Sequence, residues 1–260
     1  MKKILVLLLA ILFLYSCEYN QKEFNDLTDD MATTRSLEAV EYKDEPYTFK
    51  KVTDPTVWRT YNNLEEMLKA CQLPEEMIKI MSTENLIHTL MSHPLYFIYS
   101  AYNNEFDGVN VVLDNFNGFQ ALIERDSIAE KIIDYYARLD VEEAVETTKK
   151  SVIAENLTIY HLDFLELVIA TKKIPEIFNQ QYIDRFEKTM NEKYEAKLSH
   201  NKEIGMFSIR KSLMLGAEIK LSKNVLDPED QKMLNDFIKS GGMVSENTLY
   251  TKISEIIFLK

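Results

Sequence analysis

Apolar side chains recur every three to four residues from Asn62 almost to Lys260, and that spacing predicts helix nearly throughout. Leu64, Met67, Leu68 and Cys71 share one face, with Asn62 or Asn63 placed to cap it. Pro74 with Glu75 and Glu76 suits the first turn of the next helix, and Met77, Ile78 and Met81 continue its apolar side. Ser82 or Thr83 caps a helix carrying Leu86, Ile87, Leu90 and Met91, after which Pro94 opens an aromatic helix containing Tyr96, Phe97, Tyr99 and Tyr102. Val112 to Ile123 keeps helical phase across Asn117 and Gly118 and is read as two helices. Asp126 or Ser127 then caps a helix with Ile128, Ile132, Ile133 and Tyr136.

Later helices are longer. Leu157 to Ala170 is apolar apart from His161, Asp163 and Glu166, as a buried element would be. Tyr182, Phe186, Met190 and Tyr194 line one face of an amphipathic surface helix, and Met206 to Leu221 is apolar on most sides and so central. Asp227-Pro228-Glu229 is a start signal and Gly241-Gly242 a stop. Ser245 is placed to cap a last helix, with Val244 and Leu249 as its staple. The pattern predicts an all-α fold, an irregular stack of helical hairpins with about ten helices. One short extended segment, Tyr47 to Thr53, stands in front of it, and no fixed repeat is present.

The first residues break this pattern. Met1, Lys2 and Lys3 precede eleven uncharged apolar residues, Ile4 to Leu14, then Tyr15, Ser16 and Cys17. Spanning a hydrocarbon core takes about 20 apolar residues, so this run reads as a secretion signal and not a permanent span. From Glu18 to Glu45 there are nine acidic and three basic residues and no lasting helical stripe, the composition of a solvated tether. The expected organisation is a signal peptide over 1–16, a lipidated Cys17 and acidic tether over 17–45, and a helical domain over 46–260. A candidate subdomain boundary lies in the charged passage 140–150.

Charge and composition narrow the partners. Removing Lys2 and Lys3 leaves 28 basic against 42 acidic side chains, a field that repels phosphate backbones, so nucleic acid is excluded as an expected partner. With two cysteines in all and Cys17 taken by lipid, Cys71 has no disulfide partner and, in phase with Leu68, reads as a buried thiol.

Candidate chemistry is sparse. His88, His93, His161 and His200 contain no pair four apart, so no zinc motif is read, and no metal or other cofactor is expected. Glu84 and His88 lie one turn apart and would serve acid-base chemistry only if they lined a cleft; a helix-stabilising pair is the simpler reading. Asn115, Asn117, Gly118 and Glu124 match part of a calcium-binding loop, but its first ligand position falls on Leu113, which offers no oxygen. Tyr96, Tyr99 and Tyr102 are candidate ligand-binding rings for sugars or peptides, and the same spacing also makes core.

Leu14-Tyr15-Ser16-Cys17 resembles the lipobox of bacterial lipoproteins, of the looser kind common in Bacteroidetes. That resemblance implies diacylglycerol on Cys17 and attachment to the outer membrane, with several acyl chains supplying stable anchorage. Met81-Ser82-Thr83-Glu84-Asn85-Leu86, His93-Pro94-Leu95, Tyr102-Asn103-Asn104 and Phe116-Asn117-Gly118 look like a segment, Leu73 to Asp126, recurring in exported Bacteroidetes proteins of unknown function. Asp126-Ser127-Ile128 resembles the short O-glycosylation motif of such proteins. The resulting expectation is a membrane-anchored, non-enzymatic interaction or scaffold module, with glycan or peptide binding as the alternative and an unfamiliar hydrolase on Glu84 and His88 behind both. Cys17→Ala is expected to leave the protein unlipidated and soluble, read by detergent phase partition and mass spectrometry of the amino terminus. Membrane retention of that variant would overturn the anchor.

Overall fold

Helix starts in this chain sit where a short polar side chain or a proline can meet the first free amides. Asn63 accepts from the Glu66 amide at 3.0 Å, Ser82 from Asn85 at 3.3 Å and Asn104 from Phe106 at 3.0 Å. Asn179 accepts from Tyr182 at 3.0 Å, and Asp227 from both Glu229 and Asp230 at 3.0 and 2.9 Å. Ser127 also stands at a helix start but does not cap it; its hydroxyl meets the Thr83 hydroxyl at 2.8 Å instead, tying two helices together.

The computed structural model describes residues 42–150, 158–171, 174–223 and 225–258. The signal segment, Cys17 and nearly all of the tether lie outside them. Among the described residues there are fourteen α-helices, two 3-10 helices and no strand. They run α1 Lys50–Thr53, α2 Pro55–Trp58, α3 Leu64–Ala70, α4 Glu75–Ile80, α5 Thr83–Met91 and a 3-10 helix Tyr96–Ala101. Then come α6 Glu105–Asp114, α7 Asn117–Ile123, α8 Ile128–Arg138, α9 Val141–Lys150, α10 Ile159–Ala170 and a 3-10 turn Pro175–Ile177. The last four are α11 Gln180–Ser199, α12 Asn201–Lys223, α13 Pro228–Lys239 and α14 Asn247–Phe258. Tyr42–Lys260 forms one compact unit, and the charged passage 140–150 folds inside it as α9, whose Val141, Ala144 and Val145 are buried.

The expected extended segment is corrected in its second half. Pro46 to Phe49 is non-helical, with the Tyr47 amide donating to Thr89 Oγ1 at 2.9 Å. The buried Phe49 then offers its carbonyl to the amides of Val52 and Thr53, both at 2.9 Å, and Lys50–Thr53 closes into a helical turn. The aromatic helix is likewise a 3-10 helix over Tyr96–Ala101.

Two helices carry the core. α10 is buried on nearly every side, and α12 packs against α10, α11, α13 and α14. Asn201–Lys223 is broken at Gly205, whose φ of 65° and ψ of 177° leave the helical region, so the long central helix effectively begins at Met206. Asn117 fastens the N-terminal half: its side chain accepts from the Leu73 amide at 2.9 Å and donates to the Leu73 carbonyl at 2.8 Å. The residue that matched a calcium-loop position thus brackets the turn before α4.

His93 is fully buried between Phe49 and Phe116, with ring centroids at 5.5 and 4.9 Å. Its Nδ1 accepts from the Leu95 amide at 3.2 Å, which leaves the ring neutral, and burial pushes its pKa down to about 4. A neutral histidine buried this way stabilises the fold fully above its unfolded value near 6.5. That contribution is lost as pH falls from there through 4. Between pH 7 and 5, His93 is expected to cost about 2 kcal/mol of stability in urea titrations. His161, also lowered to about 4, acts in the same direction. His93→Gln should flatten part of this slope; an unchanged slope would exclude His93 as its source.

Candidate functional site

The sequence-predicted positions do not assemble into one site. Tyr99 is 1% exposed, its ring stacked 6.4 Å from Phe164 and its hydroxyl on the Tyr160 carbonyl at 3.3 Å. Tyr96 is half-buried and stacks on His161 at 4.2 Å, and Tyr102 lies half-buried against Gly108, where an added Cβ would come within 2.9 Å of its ring. Three residues per 3-10 turn eclipses Tyr96 and Tyr99 along one side of the helix, which packs against α6 and α10, and Tyr102 follows the helix in extended backbone. Glu84 and His88 attract one another only through space: Glu84 binds Arg138 at 2.8 Å, and His88 meets the Tyr135 ring edge-on at 4.8 Å. Cys71 is fully buried, and burial pushes its thiol up to about 11, which removes thiolate character at neutral pH. Among the described residues no group of three or more His, Cys, Asp or Glu is arranged to hold a metal ion.

Sequence reasoning missed the densest group of ionisable side chains, which lies at the centre of the fold. Lys197 of α11 reaches Asp163 Oδ1 at 2.8 Å, Glu166 Oε2 at 2.7 Å and the Ser208 carbonyl at 3.2 Å, so each ammonium proton has an acceptor. Tyr136 and Ser212 each donate to Glu166 Oε1 at 2.9 Å, and the Ser208 hydroxyl donates to Asp163 Oδ1. A second triad adjoins it: Glu105 Oε1 accepts from Lys211 at 2.6 Å and from Arg210 at 2.9 Å. Lys211 also sits 2.9 Å below the Phe207 ring centroid.

Electrostatics follow from burial and count. Three carboxylates face three cations, so the assembly is neutral as a whole when all are charged. Burial alone would lower the Lys197 ammonium, but Asp163 and Glu166 outweigh it and hold the pKa raised. Burial lifts the Glu166 carboxyl against the pull of Lys197. Lys211 is lowered to about 8 by burial, which Asp163 and Glu105 only partly offset. Asp163, Glu166, Lys197 and Ser212 are completely enclosed, and surface cavities of about 310, 450 and 290 Å³ are lined by other residues. The network's chemistry is structural pairing. Its sequence signal was present: Asp163 and Glu166 three apart on an apolar helix, and Lys197 three residues past Tyr194 on the buried face of α11.

At the surface the conspicuous feature is apolar. Leu198, Met206, Phe207 and Met243 are 37, 40, 39 and 55% exposed and gather where α11 meets α12 and where α13 turns towards α14. Arg210 links two of them, its guanidinium 5.3 Å from the Phe207 centroid and 2.7 Å from the Met243 sulfur. A cleft of about 290 Å³ beside α14 is lined by Tyr194, Leu198, Met206 and Tyr250, and a groove of about 450 Å³ lies between α13 and α14. Gly241 and Gly242, at φ 67° and 76°, shape the turn, and a Cβ on Gly242 would fall 2.8 Å from the Arg210 side chain.

Comparison with protein-family models, curated proteins and solved structures finds no match, so the functional reading rests on this geometry.

Lys197→Met is expected to cost about 3–5 kcal/mol, because it leaves two enclosed carboxylates without a counter-charge. Adding Asp163→Asn and Glu166→Gln to it should restore a substantial part in urea unfolding. If the triple variant proved as unstable as Lys197→Met, the loss would belong to packing and not to charge.

Proposed function

We propose that this chain is a membrane-tethered, non-enzymatic interaction module, held to the outer membrane by lipid on Cys17 and presenting the surface around the start of α12 and α14 to a protein partner. The observation that carries this reading is the exposed apolar set Leu198, Met206, Phe207 and Met243: Arg210 joins Phe207 to Met243, and Leu198 and Met206 line one cleft beside α14. Aromatic residues, methionine and arginine are the types enriched at protein interfaces, and contiguous exposed apolar surface marks contact sites. The ionisable residues with the strongest burial are spent on pairing in the core, so they support a scaffold role more than a catalytic one.

A second reading, glycan or peptide binding, draws on a different edge. Phe97 and Tyr160 are 54 and 49% exposed and flank the half-buried Tyr96, so the usable rings on that edge differ from the Tyr96, Tyr99 and Tyr102 set. Exposed rings of this kind stack on sugar faces or apolar side chains.

A photo-reactive residue placed in the producing cell at position 206 or 243 is expected to yield a discrete heavier species. The same residue at position 188, exposed on α11, should yield none. Identical products from all three positions, or none at 206 and 243 alongside products at position 97 or 160, would move the docking surface away from α12 and α14.

A further inference from the structure

The groove between α13 and α14 narrows what that partner is. Its walls are Met233, Phe237, Leu249 and Ile253, with Met243 and Val244 at the end formed by the turn. The charged side chains along its rim already answer one another: Lys232 lies 2.5 Å from Asp236, and Lys252 is 3.4 Å from Glu229. The floor therefore offers apolar contact and shape, without a free fixed charge in its centre. Two helices of twelve residues each border it, about 18 Å of wall, and the apolar stripe of a third helix, with side chains at i, i+3 or i+4 and i+7, matches such a trough.

Charge selects among helices. Between Pro228 and Phe258 four acidic side chains, Glu229, Asp236, Glu246 and Glu255, reach the surface while Asp230 is buried, against three lysines, and the whole chain carries a net charge of -12. A second copy of the same chain would meet this field with its own, whereas a cationic partner is drawn in by it. Met233 on α13 and Met243 in the turn after it give one wall and one end of the groove that repack around different apolar side chains.

We infer that the α13–α14 groove is the docking site for a basic amphipathic helix of a partner protein, seated with its apolar stripe on Met233, Phe237 and Met243 and its cationic flanks towards the acidic surface. This rests on the interaction-module reading and adds the identity of the partner's binding element.

The test uses the lipidated protein in phosphatidylcholine nanodiscs, with empty discs subtracted, and three labelled peptides of about 18 residues. One has a leucine stripe with lysine on the other face, the second replaces each lysine by glutamate, and the third is a scrambled leucine-lysine sequence without a stripe. Fluorescence anisotropy is expected to show binding of the first alone, weakened when salt rises from roughly 50 to 300 mM. Met243→Asp, at an exposed position, should weaken it by about tenfold or more. Ile80→Asp, at an exposed apolar position on α4, should leave it unchanged. Equal binding of the glutamate peptide or of the scrambled peptide, no binding of the first, or indifference to Met243→Asp would each overturn the inference. Equal loss on Ile80→Asp would make the effect one of added charge in general and would overturn the inference as well. Photo-crosslinks at 206 or 243 alongside a silent peptide assay would leave the module reading standing and remove only the basic helix.

Discussion

One enclosed ammonium organises the centre of this fold. Lys197 has no exposed surface and exactly as many acceptors as protons, two carboxylates and a main-chain carbonyl, drawn from α10 and α12. Taking such a charge out of water costs several kcal/mol, so the arrangement persists only when every partner is in place. That demand fixes the register of α11 against α10 and α12 more narrowly than apolar contact would, since leucine and methionine faces tolerate small slides. Tyr136 extends the constraint to α8 through Glu166, and Glu105 extends it to α6 through Lys211 and Arg210. Five helices thus share one electrostatic junction, which is distinct from the aromatic packing around His93 that holds the N-terminal half.

The same junction reaches the surface. Phe207 covers the Lys211 ammonium while 39% of it remains in solvent, and Arg210 ties Glu105 to the exposed Met243. An apolar surface set on rigid ion pairs is pre-organised: its side chains stand on a backbone that does not have to order when a partner arrives. The groove beside it draws on the more adaptable part of the molecule, the glycine turn and the methionines of α13 and the following loop. The proposed docking face therefore combines a fixed edge with a pliable trough.

The helical architecture was legible because its periodicity is local. Asn63, Ser82 and Asp227 cap the helices they were expected to cap, and two helices cover Val112 to Ile123 as read, although the break falls at Asn115 and Phe116 and leaves Asn117 and Gly118 inside α7. The aromatic run around Tyr96 misled by its type: the residues are helical, but in a 3-10 turn that buries Tyr99 and leaves Phe97 outside. Asp163 and Glu166 were noticed only as interruptions of an apolar helix. Their meaning depended on a lysine 31 to 34 residues away, and no spacing rule joins positions at that distance.

The sequence by itself determined what depends on neighbours along the chain: the all-helical class, the caps and stops, the acidic field, and the expectation of a leader ending at Cys17. Each is a property of a short window or of a sum over residues. Tertiary structure alone decided which charges were buried together, which of the aromatics stayed exposed, and where Met233 and Met243 came to line one groove. These follow from long-range packing, in which a side chain's environment is set by elements remote in sequence.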